Sequence, residues 1–196
     1  GSGTGTVAPV IGTGTGLLAR YFGAQDMTEL GLIRVDAQVN NDWGVLAPNE
    51  FVGSDHFSAR WSGQVQAQYT DNYVFKTVSD EGVRLWVNGS LVIDNWTDHS
   101  LVTNTSAAIS LEAGVKYDIV MEYFENTGDA TAKLLWAGNI QPAEVIPQTQ
   151  LYLEEQDAPV IGDGSGLTGQ YFADENLTAL AVQRTDATVA FDWGSG

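Results

Sequence analysis

Between the segments that read as strands lies a set of oxygen-bearing side chains: Asp55, Asp80, Glu81, Asp94, Asp98, Glu125, Asn126 and Asp129, with His56, Trp96 and His99 among them. Carboxylates, amides and backbone carbonyls are what a hard cation such as calcium takes, six to eight oxygens at a time; magnesium suits such a set less well, because it keeps its water. Zinc does not suit it. The two histidines stand 43 residues apart without ligand spacing, and there is no cysteine. A glycosidase needs two opposed carboxylates in a cleft, and no pair here is singled out. There is no Gly-x-Ser-x-Gly elbow and no phosphate loop with its lysine. The chemistry expected is binding rather than catalysis.

Composition narrows the partners. Eight basic residues against 25 acidic ones leave a formal charge of −17. Nucleic acid, which needs a basic surface, is excluded as a partner, and anionic membranes are disfavoured on the same ground. No apolar run approaches the length that crosses a bilayer, so no membrane insertion is expected. Divalent cations and neutral ligands remain. With 43% hydrophobic residues in 196 the chain can bury a core, and without cysteine it must do so unaided by disulfides.

The elements that position the acids are strands. Residues 57–69 alternate without a break: Phe57, Ala59, Trp61, Val65, Ala67 and Tyr69 on one side, Ser58, Arg60, Ser62, Gln64, Gln66 and Gln68 on the other. Tyr73–Val78, Val83–Val87, Leu91–Asp94, Ile109–Leu111, Tyr117–Phe124 and Thr131–Trp136 follow, with Asn88-Gly89 as a hairpin turn. No stretch has helical periodicity. The fold class expected is all-β, an antiparallel β-sandwich. Counting chain reversals sends the long segments 45–56, 79–82, 95–108 and 125–130 to one end and the tight turns to the other. Function gathers on long loops held by a rigid scaffold. Trp86 and Trp136 read as core; Trp96 and His99 read as candidate ligand contacts.

The chain also repeats itself. Residues 8–46 and 158–196 align at an offset of 150 without a gap and share 19 of 39 positions, among them Tyr21-Phe22 with Tyr171-Phe172 and Asp42-Trp43-Gly44 with Asp192-Trp193-Gly194. Residues 1–15 read as a Gly/Thr-rich linker, 16–153 as the domain, 154–165 as a second linker and 166–196 as the truncated start of a second repeat. A tandem array is the parent this implies, and the tail is a hazard for strand exchange with Leu17–Trp43.

Gly16-Leu17-Leu18-Ala19-Arg20-Tyr21-Phe22, Ser79-Asp80-Glu81-Gly82-Val83-Arg84-Leu85-Trp86-Val87-Asn88-Gly89, Leu91–Trp96, Glu122–Asn126 and Leu134-Leu135-Trp136 together resemble, in order, the PA-fourteen (PA14) domain family, the anthrax protective antigen-like domains. The resemblance covers about residues 16–153 and implies a β-sandwich. The family includes calcium-dependent lectins of yeast flocculins and modules of bacterial adhesins and glycosidases. In those lectins two adjacent acids joined by a cis peptide bond hold calcium, and a later loop supplies an Asn and carbonyls. Carried over, the metal ligands are Asp80, Glu81, Asn126, Gly128 and Asp129, and the ligand-binding residues Asp80, Asn126, Trp96 and His99. The lectins have two Asp where this chain has Asp80-Glu81. The expected function is a calcium-dependent carbohydrate-binding module of a large extracellular adhesin, with Ca2+ as cofactor and cell-surface glycans or polysaccharides and neighbouring repeats as partners. The alternative is a non-binding spacer or an accessory module of a secreted adhesin or glycosidase. Either is expected outside the cell.

Overall fold

In the computed structural model the described residues are 7–154, the backbone of 167–172 and 180–186, and residue 176. Residues 1–6 and 155–165 of the two expected linkers, and most of the region expected to open a second repeat, lie outside them. Among the described residues of the first compact unit, thirteen strands run in chain order: β1 (Leu17–Phe22), β2 (Leu30–Asp36), β3 (Asn40–Gly44), β4 (Ser58–Gln66), β5 (Asp71–Ser79), β6 (Val83–Val87), β7 (Ser90–Asn95), β8 (Val102–Thr105), β9 (Ile109–Leu111), β10 (Lys116–Phe124), β11 (Ala130–Ala137), β12 (Glu144–Val145) and β13 (Leu151–Tyr152). One sheet is ordered β2-β1-β4-β10-β6-β7, with β13 on β4. The other is β12-β11-β5-β8, with β3 on β11 and β9 on β5. Every pairing is antiparallel.

The period-two alternation of residues 57–69 decides the inner face. Phe57, Ala59, Trp61, Val65 and Ala67 are all at 0% exposure. Trp61 shares one core cluster with Tyr21, Tyr73, Phe75, Leu85, Met121, Tyr123 and Trp136, contributed by both sheets and all buried. The aromatic rings meet edge-on or tilted, as their quadrupoles prefer: Tyr21 on Trp61 at 6.0 Å, Trp43 on Phe57 at 5.6 Å and Tyr73 on Trp136 at 5.3 Å. Trp136 is core as expected. Trp86 is not. Its neighbours Leu85 and Val87 point inward, so it stands half-buried on the outer face, beside a concavity of about 320 Å3 that it shares with Arg60, Asp118 and Glu122.

The expected long loop 95–108 contains β8. This strand does not spoil the count of reversals, because β8 and β9 both pair antiparallel with β5, Val102 opposite Ser79 and Leu111 opposite Asp71. They are two lengths of one direction, broken at Ser106, which bonds Phe75 through both its backbone and its hydroxyl. The long loops therefore share one end: Phe22, Phe124 and Ser58 are mutually registered there, with Val83 opposite Tyr123 and Ala132 opposite Ser79. Loop 23–29, not counted in the sequence reading, opens at the same end.

Residues 10–15, from the stretch expected as a linker, and Gly16 lie against the last strand. Gly14 and Gly16 donate to the Thr149 and Leu151 carbonyls. The buried Gln150 side chain accepts from Gly12 N–H and donates to the Val10 and Gln66 carbonyls. A second compact unit, residues 159–196, contains a hairpin of β14 (Leu167–Phe172) and β15 (Leu180–Asp186). It runs from Leu167 opposite Asp186 to Phe172 opposite Leu180, with a register shift after Tyr171. The hairpin of β1 and β2 has the same register and shifts after Tyr21.

Candidate functional site

The acidic end is built where β5, β10 and β11 run out. Asp80 follows β5, Glu125 and Asn126 follow β10, and Asp129 precedes β11. Asp80 Oδ1 accepts the Thr131 N–H at 2.6 Å, which ties the β5–β6 turn to β11. Burial pushes the Asp80 carboxyl above the usual carboxylate range, the Thr131 N–H acts against this, and the charge of Asp129 adds to it. Glu81 takes the left-handed conformation, φ 66°, in a tight turn where glycine would be at ease. Its N–H donates to the His99 carbonyl at 2.9 Å.

The resemblance implied a cis bond between the two acids; the Asp80–Glu81 bond here is trans. The turn at Glu81 instead sends its carboxyl toward Asp98. Burial first, then the charge of Asp98, raise the Glu81 pKa. Its Oε2 is buried without a hydrogen-bond partner.

Asn126 is tied on three sides. Its carbonyl accepts from His56 N–H, its Oδ1 from Gln25 Nε2 at 3.1 Å, and its Nδ2 donates to Asp98 Oδ2 at 3.0 Å. Gly128, at φ 111°, donates its N–H to Asp55 Oδ1 at 3.1 Å. The structure thus brings Asp80, Glu81 and Asn126 to one loop end together with Asp55 and Asp98, while Gly128 and Asp129 lie on its exposed rim. Among the described residues no three acidic or histidine side chains converge at metal-binding distance.

Trp96 and His99 lie beside this end. Trp96 packs edge-on against Phe124 at 4.8 Å, with the Arg84 guanidinium 4.4 Å from its ring centroid. With Gln25, Asp26, Thr97, Asp98 and Phe124 it lines a cleft of about 330 Å3. His99 Nδ1 donates to the Ser100 carbonyl at 2.9 Å, and its Nε2 is buried without a partner.

Two residues of the site were not picked out in sequence, Tyr123 and Gln25, and Glu125, named among the loop acids, was not singled out as buried. Glu125 stands at 0% exposure. The Tyr123 hydroxyl donates to its Oε2 at 2.5 Å and lies 3.5 Å from Asp80 Oδ1. Burial pushes the Glu125 pKa up to about 7; the Tyr123 bond opposes this, while the charges of Asp80, Glu81 and Asp55 add to it. The inward parity of β10 would have placed Tyr123. Nothing in the sequence marks Gln25, whose loop carries no strand pattern.

The PA14 domain profile matches residues 14–150. The anti-sigma-I factor RsgI3 of Acetivibrio thermocellus is 41% identical over 182 residues, which cover 93% of this chain and 28% of that protein. The protective antigen of Bacillus anthracis is 34% identical over 147 residues, covering 71% of this chain and 18% of that protein. A solved anti-sigma factor domain-containing protein superposes with TM-score 0.71 at 39% identity, over 91% of this chain and 62% of that one. This chain therefore spans about a quarter of the anti-sigma-I factor it matches.

These relatives correct the functional expectation. At 39–41% identity over nearly the whole chain they are anti-sigma factors. They overturn the calcium-dependent lectin of an adhesin array, its glycan and neighbouring-repeat partners, and the spacer or glycosidase-accessory alternative. The cause is specific: the motifs in strands β1, β6 and β10 encode the sandwich, and the sandwich does not carry one function. The relatives are anti-sigma factor and PA14 domains. No helix among the described residues is long and apolar enough to cross a membrane.

Proposed function

This chain belongs to the PA14 domain family, and we propose that it is the sensing module of an anti-sigma factor, standing outside the cytoplasm, with its acidic loop end turned to the signal. The observation that carries this reading is the 41% identity over 93% of the chain to an anti-sigma-I factor. That coverage runs past the PA14 match, which ends at residue 150, into the duplicated stretch. The likeness is thus to an arrangement of segments as well as to a fold. A charge of −17 and the absence of cysteine suit a module that touches neither DNA nor the reducing interior.

Within the module we assign the loop end to a calcium ion, held by Asp80, Glu81, Asn126, the carbonyl of Gly128 and Asp129. The ion's role in this reading is to fasten the loops rather than to bridge to a sugar. The donor set is all oxygen, as calcium requires, and the orphaned Glu81 Oε2 is a buried oxygen in want of a partner.

The test is made in cells with the whole anti-sigma factor and a reporter driven by its sigma factor. Deleting residues 16–153 should leave the sigma factor bound, since that contact belongs to another part of the protein, and should abolish changes in reporter output across a panel of growth media. Loss of sigma binding, or an unchanged response, would sink the reading.

A further inference from the structure

Aromatic rings at the surface of the sandwich are matched with cations. The Lys116 ammonium lies 3.7 Å from the Tyr152 ring centroid and the Arg84 guanidinium 4.4 Å from that of Trp96. Trp86 is the exception. Trp43, Trp61, Trp96 and Trp136 each meet another aromatic ring. Trp86, half-buried on the outer face, meets neither a ring nor a cation among the described residues, and its indole N–H has no hydrogen-bond partner among them. Register explains the hollow beside it. Trp86 stands opposite Val120, and Val120 opposite Ser62. Small side chains next to an indole, with Gly89 at the adjoining turn, leave a concavity of about 320 Å3, the size of a small-molecule site. Its wall is acidic: Asp118, Glu122 and Glu154 against one base, Arg60. Glu122 is taken by Arg60 at 3.3 Å and approached by Arg84 at 4.0 Å. The exposed Asp118 carboxylate accepts from the neutral Gln64 amide at 3.0 Å and makes no ion pair among the described residues.

We propose that this hollow is a site for a small organic cation, an alkylammonium or quaternary ammonium group, held over the Trp86 ring with Asp118 as its counter-ion. Among aromatic side chains tryptophan attracts a cation most strongly, and here it is the ring left without one, beside the acid left without one. No three acids converge as a metal ion requires; a diffuse organic charge needs an aromatic face and one nearby carboxylate. Arg60 keeps its place on Glu122, so no existing ion pair is broken on binding. The site lies on the sheet face next to the Asn88-Gly89 turn, at the opposite end of β6 from Asp80 and Glu81. It is therefore independent of the calcium assignment and of the anti-sigma reading.

Choline is the probe, and its neutral tert-butyl analogue, with carbon in place of the charged nitrogen, is the control. In the full chain, isotopically labelled at the tryptophan nitrogens, the Trp86 indole N–H resonance is identified by its loss in Trp86→Phe. At constant ionic strength choline should move this resonance along a saturable curve and leave those of Trp61 and Trp96 in place. The neutral analogue should need about tenfold more to reach the same shift. Asp118→Asn, at an exposed position, should keep the fold by circular dichroism and raise the half-saturation concentration about threefold. Should that variant fail to fold, the unsubstituted chain is titrated at about 0.01 M and about 1 M salt, where screening should weaken choline binding by a similar factor. A flat titration, an equal response to the neutral analogue, or a shift at Trp96 in place of Trp86 overturns the site. An unchanged curve in folded Asp118→Asn, or in high salt where that arm is used, removes the counter-ion and overturns it as well.

Discussion

The hydroxyl of Tyr21 donates to Asp36 Oδ2 at 2.6 Å inside the sandwich. The same oxygen accepts the Trp61 indole N–H at 2.9 Å, while Arg34 Nε holds Oδ1 and the Arg34 guanidinium lies 4.8 Å over the Tyr21 ring. One carboxylate thereby satisfies a phenol, an indole and a guanidinium and joins β1, β2 and β4. Asp36→Ala would leave the buried Tyr21 hydroxyl and Trp61 indole N–H without their acceptor and Arg34 without its carboxylate, at a cost of about 3–5 kcal/mol. Asp36→Asn, which keeps an acceptor, should cost less. Urea unfolding followed by tryptophan fluorescence measures both, and an Asp36→Ala protein within about 1 kcal/mol of the original would refute the account. The sequence repeats the hairpin's share of this network as Tyr171, Arg184 and Asp186.

Stability should fall as pH rises through neutrality. Glu125 has a folded-state pKa of about 7, above its ordinary 4.5, and Asp80 and Glu81 are raised as well. A carboxyl raised in the folded state favours that state when protonated. Its contribution is complete below the unfolded value of 4.5 and is lost as pH climbs through about 7. In chelator, the melting temperature should therefore decline from mildly acid to mildly alkaline solution. Glu125→Gln has no proton to lose there, so its melting temperature should decline less and lie above that of the unsubstituted chain on the alkaline side. Parallel pH profiles for the two proteins would show that Glu125 does not titrate as its surroundings require.

The scaffold was legible because its causes are local. Alternation at 57–69, the Asn88-Gly89 turn and the spacing of apolar runs fix strands, faces and the end at which long loops gather. Trp86 escaped because hydrophobicity does not say which face of a strand is covered; only the position of the second sheet does. The site was half legible. Asp80 and Asn126 lie where chain reversal puts them, but the pairing of Glu81 with Asp98 and the reach of Gln25 to Asn126 join loops far apart in sequence. Such contacts have no periodicity to betray them. Function was the least legible, since the residues that resemble the family are those that pack and turn the chain, and these are shared by domains of unlike roles.

Gly82 couples the site to the cleft beside it. A Cβ at this position would fall 1.9 Å from one carbon of the Phe124 ring and 2.5 Å from another, distances no ring can tolerate without moving. Phe124 N–H is also bonded to the Gly82 carbonyl at 3.0 Å, which holds the two backbones together and denies the ring an easy retreat. On its other side Phe124 meets Trp96 at 4.8 Å. Gly82→Ala should therefore push Phe124 against Trp96, narrow the cleft lined by Gln25, Asp26, Thr97 and Asp98, and cost about 1–3 kcal/mol as overpacking. Because Trp96 is half-buried, its fluorescence maximum and its quenching by iodide should change while the signal of the buried Trp61 and Trp136 stays. Pairing the change with Phe124→Leu tests the mechanism. The smaller side chain should relieve the added methyl and recover most of the loss, whereas additive destabilisation would place the strain in the Gly82 backbone instead.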